Sequence, residues 1–316
     1  MAEGKKRPPL IMKQRPMIQV VYALIPLAVA SIYFFGWRSL VVLATVNIAG
    51  FLAEYIFSRV YKQSVSSAVF VTNFLFALSL PPVLPLWIAV VGIVFGVVFG
   101  KMVFGGFGKN VFNPALSGRA FIYVSFGVPM TSAWIMPADG PAGGFARWTS
   151  DAVSSATPLV KLAGGESVPL LNLLLGNVSG SLGETSAVLI ILAGLYLMIR
   201  KVSNFRIVLA GTAAFLVFQT ILWLAGAAKV YDPLGALLAG SFLYGIMFMA
   251  TDPVSASQTT DAGRWIFGAL IGVLCVLIRS FSTWPEGVTF AILIANMFAP
   301  LLDYVIKKSK KKVQKT

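Results

Sequence analysis

The sequence predicts an all-α integral membrane protein with about ten transmembrane helices, arranged as two inverted five-helix repeats. Three observations predict it. Of 316 residues, 58% are apolar and 11% charged, against roughly 45–50% and about 25% in soluble globular domains. One water-soluble core cannot hide that surplus, and the shortage of charge argues equally against disorder. The apolar residues fall into runs of membrane-spanning length, and the basic residues fall between those runs and in the tails.

A hydrocarbon core of about 30 Å needs about 20 mainly apolar residues per helix. Residues 1–17 form a basic tail, and candidate spans follow at 18–36, 39–57, 66–84, 86–104 and 110–127. The first of these is expected to stay as an anchor, because no cleavage-site pattern closes it. A Gly-, Pro- and Ser-rich interval at 128–184 then interrupts the apolar pattern. Spans resume at 185–199, 206–226, 233–251, 264–281 and 286–306, and residues 307–316 form a second basic tail. The chain therefore divides into a first five-helix unit (18–127), a loop (128–184) and a second five-helix unit (185–306).

The net charge of +14 invites a nucleic-acid reading. The placement of the basic residues excludes it. With both tails in the cytoplasm, nineteen Lys and Arg residues lie inside, among them Arg59, Lys62, Lys101, Lys109, Arg200, Lys201, Arg206 and Arg264. Only Arg38, Arg147, Lys161, Lys229 and Arg279 lie outside, while Arg119 sits within a span. Cytoplasmic loops carry such an excess, so both termini are expected inside and the 128–184 segment outside. The halves also share local features. Trp87-Ile88 follows a Phe-rich run ending in Pro81-Pro82, and Trp265-Ile266 follows Phe248 to Pro253. Gly108 and Gly287 each open the last span of a half. Five spans per half make such repeats inverted, an architecture that places sites near the midplane at broken helices. Gly92, Gly96 and Gly100 recur every fourth residue and form a face for close helix packing; the 24 phenylalanines read as packing and lipid-facing residues.

Much chemistry is excluded by composition. The chain has no histidine and one cysteine, Cys275, so it holds no Ser-His-Asp triad, His-ligated haem or zinc site, and no iron–sulfur cluster by itself. The sharpest local feature is Ser150-Asp151-Ala152-Val153-Ser154-Ser155-Ala156-Thr157-Pro158-Leu159. Small residues permit close approach to the backbone, and Pro158 biases Thr157 toward an extended conformation. That suits enzymatic modification of the hydroxyl; by composition alone it is also an ordinary loop.

This segment is similar to the flavin-attachment motif of the NqrB/RnfD family, which contains the NqrB component of the sodium-translocating NADH:quinone reductase and the RnfD component of the Rnf complex. The resemblance extends through Gly105-Gly106-Phe107-Gly108-Lys109-Asn110-Val111-Phe112-Asn113-Pro114-Ala115, Thr251-Asp252-Pro253-Val254-Ser255-Ala256-Ser257, Trp284-Pro285-Glu286-Gly287 and Ala299-Pro300-Leu301-Leu302-Asp303-Tyr304. It implies FMN esterified through its phosphate to Thr157 by a flavin transferase that reads Asp151, Ser154, Ser155 and Ala156. It also implies a second, non-covalent flavin (riboflavin-like) in the bundle, partner subunits, and a prokaryotic plasma membrane. The start of the first span near residue 18 and the Pro129–Trp134 loop resemble the Rnf branch, whereas the Thr251–Gln258 run resembles the quinone-reductase branch at least as well. The expectation is the Rnf branch: a component relaying electrons between ferredoxin and NAD+ with Na+ or H+ translocation. The NqrB component of the quinone reductase is the alternative within the family, and a non-redox channel or transporter the rival outside it.

Ionisable residues inside a membrane are costly and point to function. Glu54 lies in the second span, Asp303 near the end of the tenth, and Asp252 at the break made by Pro253. Each is a candidate for the ion pathway, as a Na+ ligand or a proton relay; the plain alternative, for Asp303 and for Glu54, is a snorkelling or interfacial acid paired with Arg or Lys. The resemblance implies a role in cation passage for the positions matching Glu54 and Asp303. Arg119, five residues after Pro114, could pair with a buried acid or hold a flavin carbonyl or phosphate. Backbone carbonyls freed at Asn113-Pro114 and Asp252-Pro253 must find partners in helices, a cation or a ligand.

Overall fold

A computed structural model describes residues 9–150, 155–257, 260–284 and 286–313. Among them the chain is all-α apart from one two-residue parallel ladder, β1 (Ile11–Met12) with β2 (Val65–Ser66). Five helices are long and apolar enough to cross a membrane: α1 (Arg15–Phe35), α2 (Arg38–Val60), α10 (Phe205–Leu224), α13 (Asp261–Phe281) and α14 (Val288–Val313). Shorter apolar helices join them: α3 (Ala68–Leu78), α4 (Leu86–Val97), which continues through a π turn at Val98–Met102, and α9 (Ala187–Ile199). The protein is a multi-pass membrane protein.

Local chemistry sets these bounds. Pro16 sits in the first turn of α1, where its missing N–H costs nothing. Gly36 ends that helix at φ +90°, with a Cβ there reaching 2.7 Å from the Trp148 carbonyl, so no side chain fits. The predicted third span, 66–84, stops as a helix at Leu78, and the chain turns through Pro81-Pro82. Two predicted spans are not helical throughout. The 110–127 span reduces to α5 (Pro114–Ser125), because Pro114 starts the helix and Asn113 caps it through bonds from the Ala115 and Leu116 N–H groups. The 233–251 span breaks into α11 (Pro233–Leu238), α12 (Phe242–Tyr244) and a π turn at Gly245–Met249. The break lies at Gly240, φ +70°, against which the Leu159 side chain packs. The 128–184 interval is not structureless: it carries most of α6 (Gly127–Ser132), with α7 (Pro158–Ala163) and α8 (Leu170–Leu175).

Packing follows the same order in both halves: α2 packs on α4 and α4 on α5, as α10 packs on α13 and α13 on α14. The Trp87-Ile88 and Trp265-Ile266 pairs stand near the starts of α4 and α13. The glycine face of α4 meets α5 directly, with Gly118 lying against the Gly92 carbonyl and Gly96 against that of Pro114. Gly268 and Gly272 bring α13 equally close to α10. The halves meet where α1 packs on α9 and α5 on α14, around one apolar core containing Leu24, Phe76, Leu116, Phe215 and Ile271. Outward faces stay apolar too, as with Leu40, Ile48, Leu52 and Ile56 on α2. That is the pattern of a bundle solvated by lipid.

Candidate functional site

One end of the bundle, opposite the end where α1 begins, holds a cavity of about 310 Å³ lined by Tyr123, Met130, Trp134, Thr157, Leu159 and Glu184 among others. It is mainly apolar with a few converging polar groups, the composition of a small-molecule site. Thr157 is half-buried at its edge, extended at φ −67°, ψ 157°, immediately before α7. Its hydroxyl does not cap that helix and makes no hydrogen bond among the described residues. The strand around it is tied down: the Ser155 N–H donates to Trp134 O at 3.1 Å, and Ser179 Oγ donates to Ala156 O at 2.8 Å. Leu159, Leu162, Leu173, Val178 and Ala239 form a small second core beneath α7 and α8. Of the other motif residues, Ser155 and Ala156 line the cavity beside Thr157, whereas Asp151 and Ser154 lie outside the described residues.

A buried charge cluster borders this cavity. Arg119, on α5, donates through Nη2 to Glu286 Oε2, and its Nη1 stands 3.7 Å from Glu184 Oε1. Ser241 Oγ donates to the other Glu286 oxygen. Glu184 and Glu286 line the cavity; Arg119 sits behind them. Of the two roles open to Arg119, the geometry displays the pairing with buried acids. Arg279 lies beside the cluster, donating to Ala236 O at 2.8 Å and Ala239 O at 3.3 Å, with its guanidinium 5.4 Å from the Phe215 ring centre. Sequence reasoning did not single out Glu184, Ser241 or Arg279. Glu286 was visible only as the acid of the Trp-Pro-Glu-Gly motif, whose Pro285 is outside the described residues.

At the other end, Glu54 is 2% exposed and bonded to Lys101, equally buried, at 2.6 Å. Its second oxygen accepts the Ser66 N–H at 3.0 Å. Asp252 accepts from the Ser255 N–H at 3.1 Å and Oγ at 2.6 Å, and lines a small cavity together with Lys101. Glu54 and Asp252 thus gather around Lys101, a residue read from sequence only as a loop cation. Asp303 stands apart on α14 and accepts from Ser257 Oγ at 2.6 Å. The two chain breaks are brought together: Asn113 Nδ2 donates to Met249 O at 3.2 Å, the Asn113 N–H to Asn296 Oδ1 at 3.2 Å, and Asn296 Nδ2 to Ser255 O at 3.0 Å. Carbonyls freed at the second break therefore find side-chain amides.

The sequence model of the NQR2, RnfD, RnfE family matches residues 11–312. The chain is 40% identical over 300 residues to the NqrB component of the Na+-translocating NADH-quinone reductase of Klebsiella pneumoniae subsp. pneumoniae, covering 89% of this chain and 71% of that protein. The Yersinia pestis protein of the same name is 39% identical over 301 residues, with the same coverage. That of Pseudomonas aeruginosa is 42% identical over 274 residues, covering 84% of this chain and 66% of its own length. These relatives correct the expectation of the Rnf branch in favour of its alternative. That expectation leaned on where the first span starts and on the Pro129–Trp134 loop. Termini and loops are the parts of a chain that vary most, whereas the Thr251–Gln258 run pointed the other way.

Proposed function

The chain belongs to the NQR2, RnfD, RnfE family, and on that premise we propose that it is a membrane component of a Na+-translocating NADH–quinone reductase, carrying FMN on Thr157. The observation that carries the flavin reading is the Thr157 hydroxyl, unpartnered among the described residues, at the edge of a 310 Å³ cavity. The lining fits the group: Tyr123 and Trp134 offer aromatic walls to a planar ring, and Ser155 and Ser179 offer hydroxyls near the attachment point. Linkage through a phosphate leaves the ring free, and a flavin supplies the electron transfer that no side chain here provides. Thr157 would hold it, with Ser155 and Ala156 as the described part of the motif that a flavin transferase reads. A second, non-covalent flavin inside the bundle belongs to the same reading. Oxidation of NADH falls to partner subunits.

The same proposal places the tails in the cytoplasm and Thr157 outside, supported by the basic loops Arg59–Lys62, Arg200–Arg206 and Arg264 at one end. It takes the halves as inverted repeats, supported by their common packing order. Glu54, Asp252 and Asp303 would mark the cation path, the hard oxygen donors that Na+ prefers.

The test is direct. The protein, produced with its transferase, is denatured on a gel, scored for flavin fluorescence, and the Thr157 peptide weighed. We expect one FMN mass on that peptide and a dark band for Thr157→Ala. A bare native peptide, or fluorescence persisting in the variant, overturns the assignment. Membranes containing the assembled complex should reduce quinone with NADH in a Na+-stimulated manner.

A further inference from the structure

The end of the bundle where α1 begins contains two cavities with a partition between them. The outer one, about 290 Å³, is lined by Met12, Glu54, Ser58, Gln63, Ser66 and Phe107. The inner one, about 50 Å³, is lined by Lys101, Phe107, Asn110, Asn113, Thr251 and Asp252. The partition is the Glu54–Lys101 pair, 2.6 Å long and 2% exposed on each side, with the Phe107 ring 5.9 Å from the ammonium and bordering both spaces. Lys101 is carried on the π turn Val98–Met102, an irregularity that occurs in α-helices frequently at functional sites.

Two features make this pair unlike a structural salt bridge. An ammonium has three donors, and Lys101 uses one, on Glu54, among the described residues. A second acid, Asp252, borders the same inner cavity as the ammonium. Breaking a buried pair by removing its cation strands the anion at high cost. Glu54 therefore releases Lys101 at low cost only when its charge is met in another way, by a second cation or by a proton.

We propose that Lys101 is a tethered cation that occupies the Glu54 carboxylate until a sodium ion displaces it, and so gates passage from the outer cavity to the inner one. This rests on the sodium-translocating reading above. The charges in the exchange are accounted for: in the closed state the two carboxylates share one cation, Lys101 on Glu54, while Asp252 is held by Ser255; Na+ enters on Glu54, the ammonium moves to Asp252, and each carboxylate then has one cation. When Na+ moves inward the ammonium returns and recloses the partition. Lys101 is a positioning residue here, acting through the carboxylate it holds.

The test uses the assembled complex and the Na+ dependence of its NADH–quinone activity, with flavin content as the check on assembly. If Lys101 holds Glu54 in about nine molecules of ten, the apparent Na+ constant is raised about tenfold over the intrinsic one. Lys101→Met should therefore lower the half-saturating Na+ concentration about tenfold, and Lys101→Arg should restore it toward wild type. A half-saturation unchanged in a normally assembled Lys101→Met complex overturns the proposal. If that variant fails to assemble, the Glu54→Gln/Lys101→Met pair, which removes both charges of the bridge together, replaces it. The proposal expects its half-saturating Na+ to rise at least about tenfold, and a wild-type value overturns it. Wild-type activity indifferent to Na+ would instead refute the sodium-translocating reading itself.

Discussion

Replacing Arg119 by methionine tests the charge cluster beside the Thr157 cavity. The guanidinium is 3% exposed, and the carboxylates it faces, Glu184 and Glu286, are 5% and 13% exposed. Methionine approximates its volume and removes its charge, stranding both acids. Breaking a buried ion pair from one side costs about 3–5 kcal/mol, and Ser241, one neutral donor on Glu286, offsets only about 1 kcal/mol. At about 2–4 °C per kcal/mol for a domain of comparable size, the net loss of about 2–4 kcal/mol should lower the melting midpoint of the detergent-purified protein by at least about 4 °C. The loss should be charge-specific: adding Glu184→Gln and Glu286→Gln to Arg119→Met should recover more than half of it, a coupling that independent sites do not show. Flavin content should fall with the midpoint, since both acids line the cavity. A single Arg119→Met variant melting within about 2 °C of wild type would refute the reasoning, because three side chains desolvated together cannot lose their one bridging cation cheaply.

Two further outcomes follow from packing. Gly272→Leu should lower stability by at least about 1–3 kcal/mol, because a Cβ there lies 2.8 Å from the Phe215 nitrogen and 3.1 Å from Ala214 Cβ across the α10–α13 seam; Gly127→Ala, with nothing within 4 Å, should melt as wild type. Asn113→Ala removes the cap of α5 and the donor to Met249 O, and should cost about 0.5–2 kcal/mol or more in a thermal melt. Asn113→Asp, which keeps the capping oxygen, should lose less.

The long spans were legible because they are local. A run such as 39–57 declares its length and solvent in its own composition, and α2 extends over Arg38–Val60. The breaks were partly legible: Asn113-Pro114 marked the start of α5 through the missing N–H of proline. The fracture of 233–251 at Gly240 was not, since Leu159, from a distant loop, packs against that glycine. The glycine face of α4 was read correctly as a packing surface, while the equal seam formed by Gly268 and Gly272 passed unnoticed. At the site, Thr157 stood out through its neighbours in sequence, and Glu54 through its cost in a membrane.

What the sequence determined by itself was the solvent and the class, and it marked out the candidate residues, because hydropathy, proline and isolated charge act within a turn or two of chain. What tertiary structure alone decided was who partners whom. Arg119 meets Glu286 across 167 residues, Glu54 meets Lys101 across 47, and the Thr157 cavity is closed by Tyr123, Glu184 and Glu286 from three separate segments. Electrostatic pairing and cavity shape depend on distance in space, and that distance is set by how the helices pack.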